Sequence, residues 1–209
     1  VYNKDKSTMI YYFARKENVI VEDGIKHLGW LCFSTNTKMK TISLPSSLES
    51  IGSQVFWKCN DLQELKLGKN IKKLDPLFIY QVDNVKVTID KENQNYTIEN
   101  SIIFNKDKTK LITIIGDPEE FTVPNSVKEI GDRAFHAKNM KKIIIPETVK
   151  KIGESFNYCW NLERIEFPSS VIEISQNCFN NSNKLKEIII NNKKGVIVGT
   201  PWGCSYGEK

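Results

Sequence analysis

The chain has 209 residues, of which 40% are hydrophobic and 26% charged. That balance excludes a disordered tail and leaves enough apolar material for a core; no apolar run approaches the roughly 18 residues a membrane helix needs. The formal charge of +5 is spread along the chain without a block of five like charges, and arginine occurs only at Arg15, Arg133 and Arg164. Nucleic-acid binding usually enlists arginine and a concentrated basic stripe, so it is not expected here. Isoleucine is abundant and alanine scarce, which favours strands over long helices.

In chain order, one pattern accounts for most of the sequence. A degenerate copy runs Val21, Ile25, Leu28-Gly29, Cys32-Phe33, Asn36, Met39, Ile42 and Leu44. A full copy follows, with Leu44-Pro45-Ser46-Ser47-Leu48, Ile51-Gly52, Val55-Phe56, Cys59, Leu62 and the alternating pair Leu65/Leu67. A second degenerate copy has Ile71, Leu74, Phe78-Ile79, Val82, Val85 and Ile89. After an interval of different texture, Val123-Pro124 opens a unit with Ile130-Gly131, Ala134-Phe135, Ala137, Met140 and Ile143/Ile145. Ile145-Pro146 opens the next, with Ile152-Gly153, Ser155-Phe156, Cys159, Leu162 and Ile165/Phe167. Phe167-Pro168 opens the last, with Ile174-Ser175, Cys178-Phe179, Ser182, Leu185 and Ile188/Ile190. The strand-closing residues recur every 22 or 23 positions, apart from one interval of 34. A fixed period of this size is the signature of a solenoid, in which one unit cannot bury its inner face alone and must stack on its neighbours.

The unit has a physical reading. In I-x-I the outer two residues point inward and the middle one outward. Proline after the strand supplies no N–H and limits the ladder there. Glycine permits a sharp bend. A-F-x-x-C spaces apolar residues as a helix does, which predicts one or two helical turns on the outer side. In the long interval, Ile98–Phe104 and Lys110–Ile115 alternate around the polar segment Asn105–Thr109 and predict a β-hairpin.

The pattern, nearly complete at 44–67 and 167–190, resembles the BspA-like, or Treponema pallidum type, leucine-rich-repeat family. The resemblance implies an α/β solenoid of right-handed horseshoe form, with a parallel β-ladder on the concave face, short helical turns outside and an inserted hairpin. The expected layout is a single domain over 1–209. It has degenerate units at 1–43, repeats at 44–89, a hairpin insertion at 90–122, repeats at 123–190 and a C-terminal cap at 191–209, where Pro201 and Trp202 would cover the last core layer. The resemblance also implies a cell-surface or secreted bacterial or protist protein that adheres to host or matrix proteins. A structural spacer within a larger surface protein, and an intracellular scaffold, are the alternatives; Val1 is read as a cleaved N-terminus or the edge of an excised piece.

No chemistry-bearing constellation competes with that reading. His27 and His136 lie on different coils, and no G-x-S-x-G elbow occurs, so no catalytic residues and no cofactor are assigned. Cys59 and Cys159 share a repeat position with Ala137 and Ser182, which argues for size rather than sulfur chemistry. Cys32 and Cys178 take small core slots too, and Cys204 is the cysteine expected to be exposed or paired. Asp90-x-Glu92-x-Gln94 lacks the glycine and terminal glutamate of a calcium loop, so no metal site is assigned. Asn95-Tyr96-Thr97 and Asn180-Asn181-Ser182 match glycosylation sequons. The candidate partner-binding residues are the outward strand positions Ser43, Glu64, Lys66, Lys86, Thr88, Lys142, Ile144, Arg164, Glu166 and Ile189. Solenoids bind extended partners on such a face. Ile144 and Ile189 invite contact as apolar residues facing solvent, and Glu64–Lys86 and Arg164–Glu187 are expected as cross-strand pairs.

Overall fold

A chain that returns to the same alternating pattern each coil can pair each strand with its own counterpart one coil later. The computed structural model describes residues 1–198 except Asp83 and Lys138. The expected cap at Pro201 and Trp202, and Cys204, lie outside the described residues. The chain divides into two compact units, Val1–Lys106 and Asp107–Lys209.

The first unit contains β1 (Thr8–Met9), β2 (Asn18–Ile20), β3 (His27–Leu28), β4 (Thr41–Ser43), β5 (Ser50–Ile51), β6 (Glu64–Leu67), β7 (Lys73–Leu74), β8 (Lys86–Ile89), β9 (Tyr96–Glu99) and β10 (Ile102–Asn105). The longer strands β2, β4, β6 and β8 form the expected parallel ladder, with Val19 opposite Ile42 and Leu65 opposite Val87. A second parallel ladder, β1-β3-β5-β7, was not foreseen. Met9, Leu28, Ile51 and Leu74 follow one another in it in register, all buried, and Leu28 and Ile51 are the residues before Gly29 and Gly52.

The second unit repeats the scheme with β11 (Lys110–Ile114), β12 (Glu120–Thr122), β13 (Glu129–Ile130), β14 (Lys142–Ile144), β15 (Lys151–Ile152), β16 (Arg164–Phe167), β17 (Glu173–Ile174), β18 (Glu187–Ile190) and β19 (Ile197–Val198). Its short ladder runs β11-β13-β15-β17-β19, with Leu111, Ile130, Ile152, Ile174 and Val198 in register. Its long strands pair as β12-β14 and β16-β18.

The outer turns correct the sequence reading. No helix occurs among the described residues, so the architecture is all-β rather than α/β. The A-F-x-x-C segment instead alternates between left-handed and ordinary backbone. Leu31, Thr35, Gln54, Lys58, Arg133 and Tyr158 all have φ between 53° and 62°. That alternation turns every second N–H toward the following coil. Phe33 N donates to Val55 O at 2.9 Å, Phe56 N to Phe78 O at 2.9 Å and Phe135 N to Ser155 O at 2.9 Å. The intervening N–H groups make local bonds, as Cys59 N does to Phe56 O at 3.1 Å. A helix would have used these groups within the coil; the stack uses half of them between coils and gains continuity.

The core is built in columns. Phe33 lies flat against Phe56 at 5.8 Å between centroids, Phe135 against Phe156 at 5.3 Å and Phe156 against Phe179 at 5.5 Å. These spacings sit close to the strand repeat of about 4.8 Å, so one ring per coil fills the layer. Beside it runs the small-residue column. Cys59 Sγ donates to Phe33 O at 3.1 Å, and Ser182 Oγ donates to Phe156 O at 2.6 Å. Cysteine and serine serve there as small donors to the preceding coil.

In the long interval β9 and β10 pair antiparallel, with Ile98 opposite Ile103. Their reversal is at Asn100 and Ser101, with φ of 50° and 61°. This tight turn adds to the reversal expected at Asn105–Thr109. Asn93, fully buried before it, donates to Gly68 O and Ile71 O and accepts from Asn95 N and Tyr96 N.

The polar turn of that interval has a twin that the sequence reading missed. Asn3-Lys4-Asp5-Lys6-Ser7 recurs as Asn105-Lys106-Asp107-Lys108-Thr109. Lys6 and Lys108 have φ of 58° and 59°. Asp5 Oδ1 accepts from Ser7 N and Oγ, as Asp107 Oδ1 does from Thr109 N and Oγ1. Ser7 O then accepts from Lys26 N and His27 N, and Thr109 O from Lys128 N and Glu129 N. Gly29 N reaches Met9 O at 2.9 Å, and Gly131 N reaches Leu111 O at 2.9 Å. The same turn therefore leads into the short ladder of each unit, and β1 is the counterpart of β11.

The bend glycines bring adjacent coils into contact. A Cβ on Gly131 would stand 2.8 Å from Leu111 O, whereas one on Gly68 would meet nothing within 4 Å. Gly131→Ala is expected to destabilise the chain by about 1–3 kcal/mol, the range for overpacking. Gly68→Ala is expected to leave the denaturation midpoint nearly unchanged. Paired urea titrations of the two variants check the contrast.

Candidate functional site

Strand alternation turns the neighbours of each buried strand residue to solvent, as Thr41 and Ser43 flank Ile42 and Lys142 and Ile144 flank Ile143, so the face is a product of the ladder itself. All ten candidate positions lie on the long strands of the two units. Ser43, Lys66, Lys86, Lys142, Ile144, Arg164 and Glu166 are exposed, and Glu64, Thr88 and Ile189 are half-buried. In the first unit the face presents Ser43, Glu64, Lys66, Lys86 and Thr88, together with Ile20, which is 78% exposed. In the second it presents Lys142, Ile144, Arg164, Glu166 and Ile189, with Ile144 49% exposed.

Charge pairing on this face is partly as expected. Arg164 reaches Glu187 on the next strand at 3.2 Å and Glu166 on its own at 3.7 Å. Glu64 stands opposite Lys86 in the register, but its ion pair is with Lys66, at 3.5 Å. Such exposed pairs stabilise little. Lys142 has no ion pair among the described residues.

Each unit also has a pocket on this face that the pattern did not foretell. In the first unit it measures about 510 Å³, lined by Ile20, Thr41, Ser43, Glu64 and Lys66 among others. In the second it measures about 650 Å³, lined by Lys142, Ile144, Pro146, Arg164, Glu166 and Pro168 among others. At its rim Glu147 accepts hydrogen bonds from Ser169 and Ser170, and these bonds, Ser169 first, hold its carboxyl below the usual range.

On the outer turns, Trp57 Nε1 donates to Gln81 Oε1 at 2.8 Å, lying against the neighbouring coil. Tyr158 and Trp160 are 40% and 42% exposed and meet edge to face.

The comparisons with known proteins fit this geometry. The pattern described as BspA type leucine rich repeat region matches in six copies, over residues 7–118 and 116–198. The chain belongs to the BspA-type leucine-rich-repeat family. No curated protein sequence matches it. Among solved structures, a leucine-rich repeat protein from Eubacterium ventriosum is 23% identical with a TM-score of 0.65, over 85% of this chain and 54% of that one. The pneumococcal vaccine antigen PcpA is 24% identical with a TM-score of 0.61, over 90% and 55%. A leucine rich cell surface protein from Faecalibacterium prausnitzii is 16% identical with a TM-score of 0.51, over 84% and 60%. These likenesses concern the fold, and the chain spans little more than half the length of those relatives.

The titratable groups of this BspA-type array are mostly structural. Burial pushes the thiols of Cys32, Cys59, Cys159 and Cys178 from 9.0 up to about 12. His136 sits beside Tyr158, 6.3 Å between rings; burial, then the nearby Arg133 charge, lowers it from 6.5 to about 3. His27 Nδ1 and Ser50 Oγ are 2.8 Å apart. The sequence reading placed its histidines on separate coils and did not see this contact, which arises because β3 and β5 set residues 23 positions apart side by side. No group of three or more His, Cys, Asp or Glu that could hold a metal ion occurs among the described residues. No helix there is long and apolar enough to cross a membrane.

Between about pH 3 and 6.5 the unfolded chain binds a proton at His136 that the folded chain refuses. Its contribution to stability is therefore full above pH 6.5 and lost as pH falls toward 3. His136→Phe is expected to flatten part of the acid limb of a stability–pH curve, read by chemical denaturation at each pH. The thiols act at the other end: stability falls as pH rises past 9.0 toward about 12, because only the unfolded chain ionises there. At pH 8 the thiols of Cys32, Cys59, Cys159 and Cys178 are expected to react with a disulfide reagent roughly a thousandfold more slowly than in the denatured chain, because burial suppresses the thiolate.

Proposed function

We propose that this chain is a non-enzymatic protein-binding module of a cell-surface or secreted leucine-rich-repeat protein, engaging host or matrix proteins through the outward face of its long ladders. The observation that carries the reading is the presence of Ile20 and Ile144, 78% and 49% exposed, as the last residues of paired strands. An apolar side chain held in solvent on a strand costs solubility and gains nothing from folding; it gains free energy when a partner covers it. Around these residues the face alternates Glu64, Lys66 and Lys86 in the first unit and Lys142, Arg164 and Glu166 in the second, a mixed rim that favours selection of partner and register over raw affinity. The surface location rests on family membership, supported by relatives of which one is described as a cell surface protein.

The test is capture of host and matrix proteins on an array by the folded chain, followed by measurement of any captured partner. A composite variant reverses Lys66, Lys142 and Arg164 to Glu and carries Ile144→Asp. It is expected to weaken binding by about tenfold or more, equivalent to about 1.4 kcal/mol, with an unchanged circular dichroism spectrum. A partner that binds the variant as it binds the parent chain would overturn the proposed face.

A further inference from the structure

Both pockets of the long ladders take in the middle strands of their units. Thr41, Ser43, Glu64 and Lys66 in the first correspond to Lys142, Ile144, Arg164 and Glu166 in the second, the middle strands of each unit in both cases. At that step the ladder is weak in both. In the first unit β4 and β6 share the single register pair Thr41 and Glu64, although β6 and β8 share four. In the second, β14 and β16 belong to separate sheets, although β16 and β18 share four pairs. Where the ladder is complete, the residue just past it donates back: Asp90 N to Leu67 O at 2.9 Å, and Asn191 N to Phe167 O at 3.1 Å. The corresponding residue past β16 is Pro168, which has no N–H to give to Ile145. Pro168 thus withholds one rung between β14 and β16, whereas the first unit has Gly68 at that place beside an equally weak step.

The linings have diverged. The first pocket presents Glu64 then Lys66; the second presents Arg164 then Glu166, the opposite order of charge. In the second, Ile144, Pro146 and Pro168 make an apolar wall. Arg164 is neutralised by Glu187 and Glu166, and Glu166 also accepts from Asn191 Nδ2 at 2.8 Å. Lys142 stands beside Ile144 without an ion pair among the described residues. Glu120 stands opposite Lys142 in the register but closes no ion pair with it, and an apolar wall with a cation beside it that is free to turn fits an apolar side chain with a carboxylate next to it.

We propose that the pocket between β14 and β16 receives an extended polypeptide segment of the partner, seating a branched apolar side chain on Ile144, Pro146 and Pro168 and setting an adjacent acidic side chain on Lys142. This rests on the protein-binding reading above and names the chemistry of its partner.

The test uses the folded chain with isotope-labelled isoleucine methyl groups and three capped tetrapeptides: Thr-Leu-Asp-Thr, Thr-Leu-Lys-Thr and Thr-Ser-Asp-Thr. The first is expected to shift the Ile144 methyl resonance saturably, in the millimolar range expected of so small a ligand. The other two are expected to bind at least about threefold more weakly. Lys142→Glu should invert the preference between the Asp and Lys peptides, whereas Lys142→Arg should keep it. Lys142 is exposed on its strand, and an unchanged methyl spectrum without peptide verifies that both variants fold. Three equal affinities, no saturable shift, or shifts that map away from Ile144 would each overturn the pocket. Failure here with a captured partner still sensitive to the composite face variant would sink the pocket alone. Peptide binding without any captured partner would sink the broader reading of host or matrix adhesion instead.

Discussion

Every coil of this chain ends with backbone N–H and C=O groups that nothing within the coil can satisfy. A buried amide without a partner costs about 1–3 kcal/mol, and a coil of 22 or 23 residues offers too little local pairing to meet that demand. The next coil does. Long strands, short strands and outer turns each pass hydrogen bonds to a neighbour, as Gln63 N does to Lys40 O, Gly52 N to Leu28 O and Phe33 N to Val55 O. The period of the sequence follows from this constraint, because the same donor must meet the same acceptor at each step. The columns of Phe33 and Phe56, and of Phe135, Phe156 and Phe179, are then the side-chain expression of a backbone register already set.

The same constraint explains which features were legible in the sequence. Ile42, Leu65, Ile143 and Ile165 announced the long ladder because alternation is a two-residue signal that survives degeneracy. The short ladder was hidden in Leu28-Gly29, Ile51-Gly52 and Ile130-Gly131, since two residues are too few to show a period. The outer turn misled for a definite reason: Phe56 and Cys59 stand three apart both in a helix and in a turn alternating through Gln54 and Lys58 at positive φ. Spacing alone does not separate the two. The twin of the Asn105–Thr109 turn was missed because Asn3–Ser7 lies ahead of the first recognised apolar position, where polar residues carry no periodicity. The outward candidates Ser43, Lys66, Lys142 and Arg164 were placed by alternation, but the pockets were not, because they depend on rungs that are missing rather than on residues that are present.

For function, the useful property of this design is separation of duties. Core positions tolerate only narrow exchange: Cys59, Ala137, Cys159 and Ser182 share one slot, and the thiols there are held protonated by burial. Outward positions carry no such restriction. Equivalent places in the two units hold Ser43 and Ile144, or Glu64 and Arg164, on backbones that pair in the same way. A fold of this type changes its surface chemistry without touching its register, and family membership therefore says more about the frame than about the partner.

The outer turns have one more property. In the first unit Tyr12, Leu31, Phe33, Thr35, Gln54 and Phe56 all give their N–H to the coil that follows, and in the second Ile114, Arg133, Phe135, Phe156 and Tyr158 do the same. In parallel strands donors and acceptors alternate in direction and their dipoles largely cancel. In the outer column they add, as peptide dipoles do along a helix. Each unit thus carries an electric polarity along its outer edge, with carbonyl oxygens facing back toward the first coil and amide hydrogens facing on toward the last. The two ends of such a column are chemically unlike, and whatever closes one of them is the wrong group for the other.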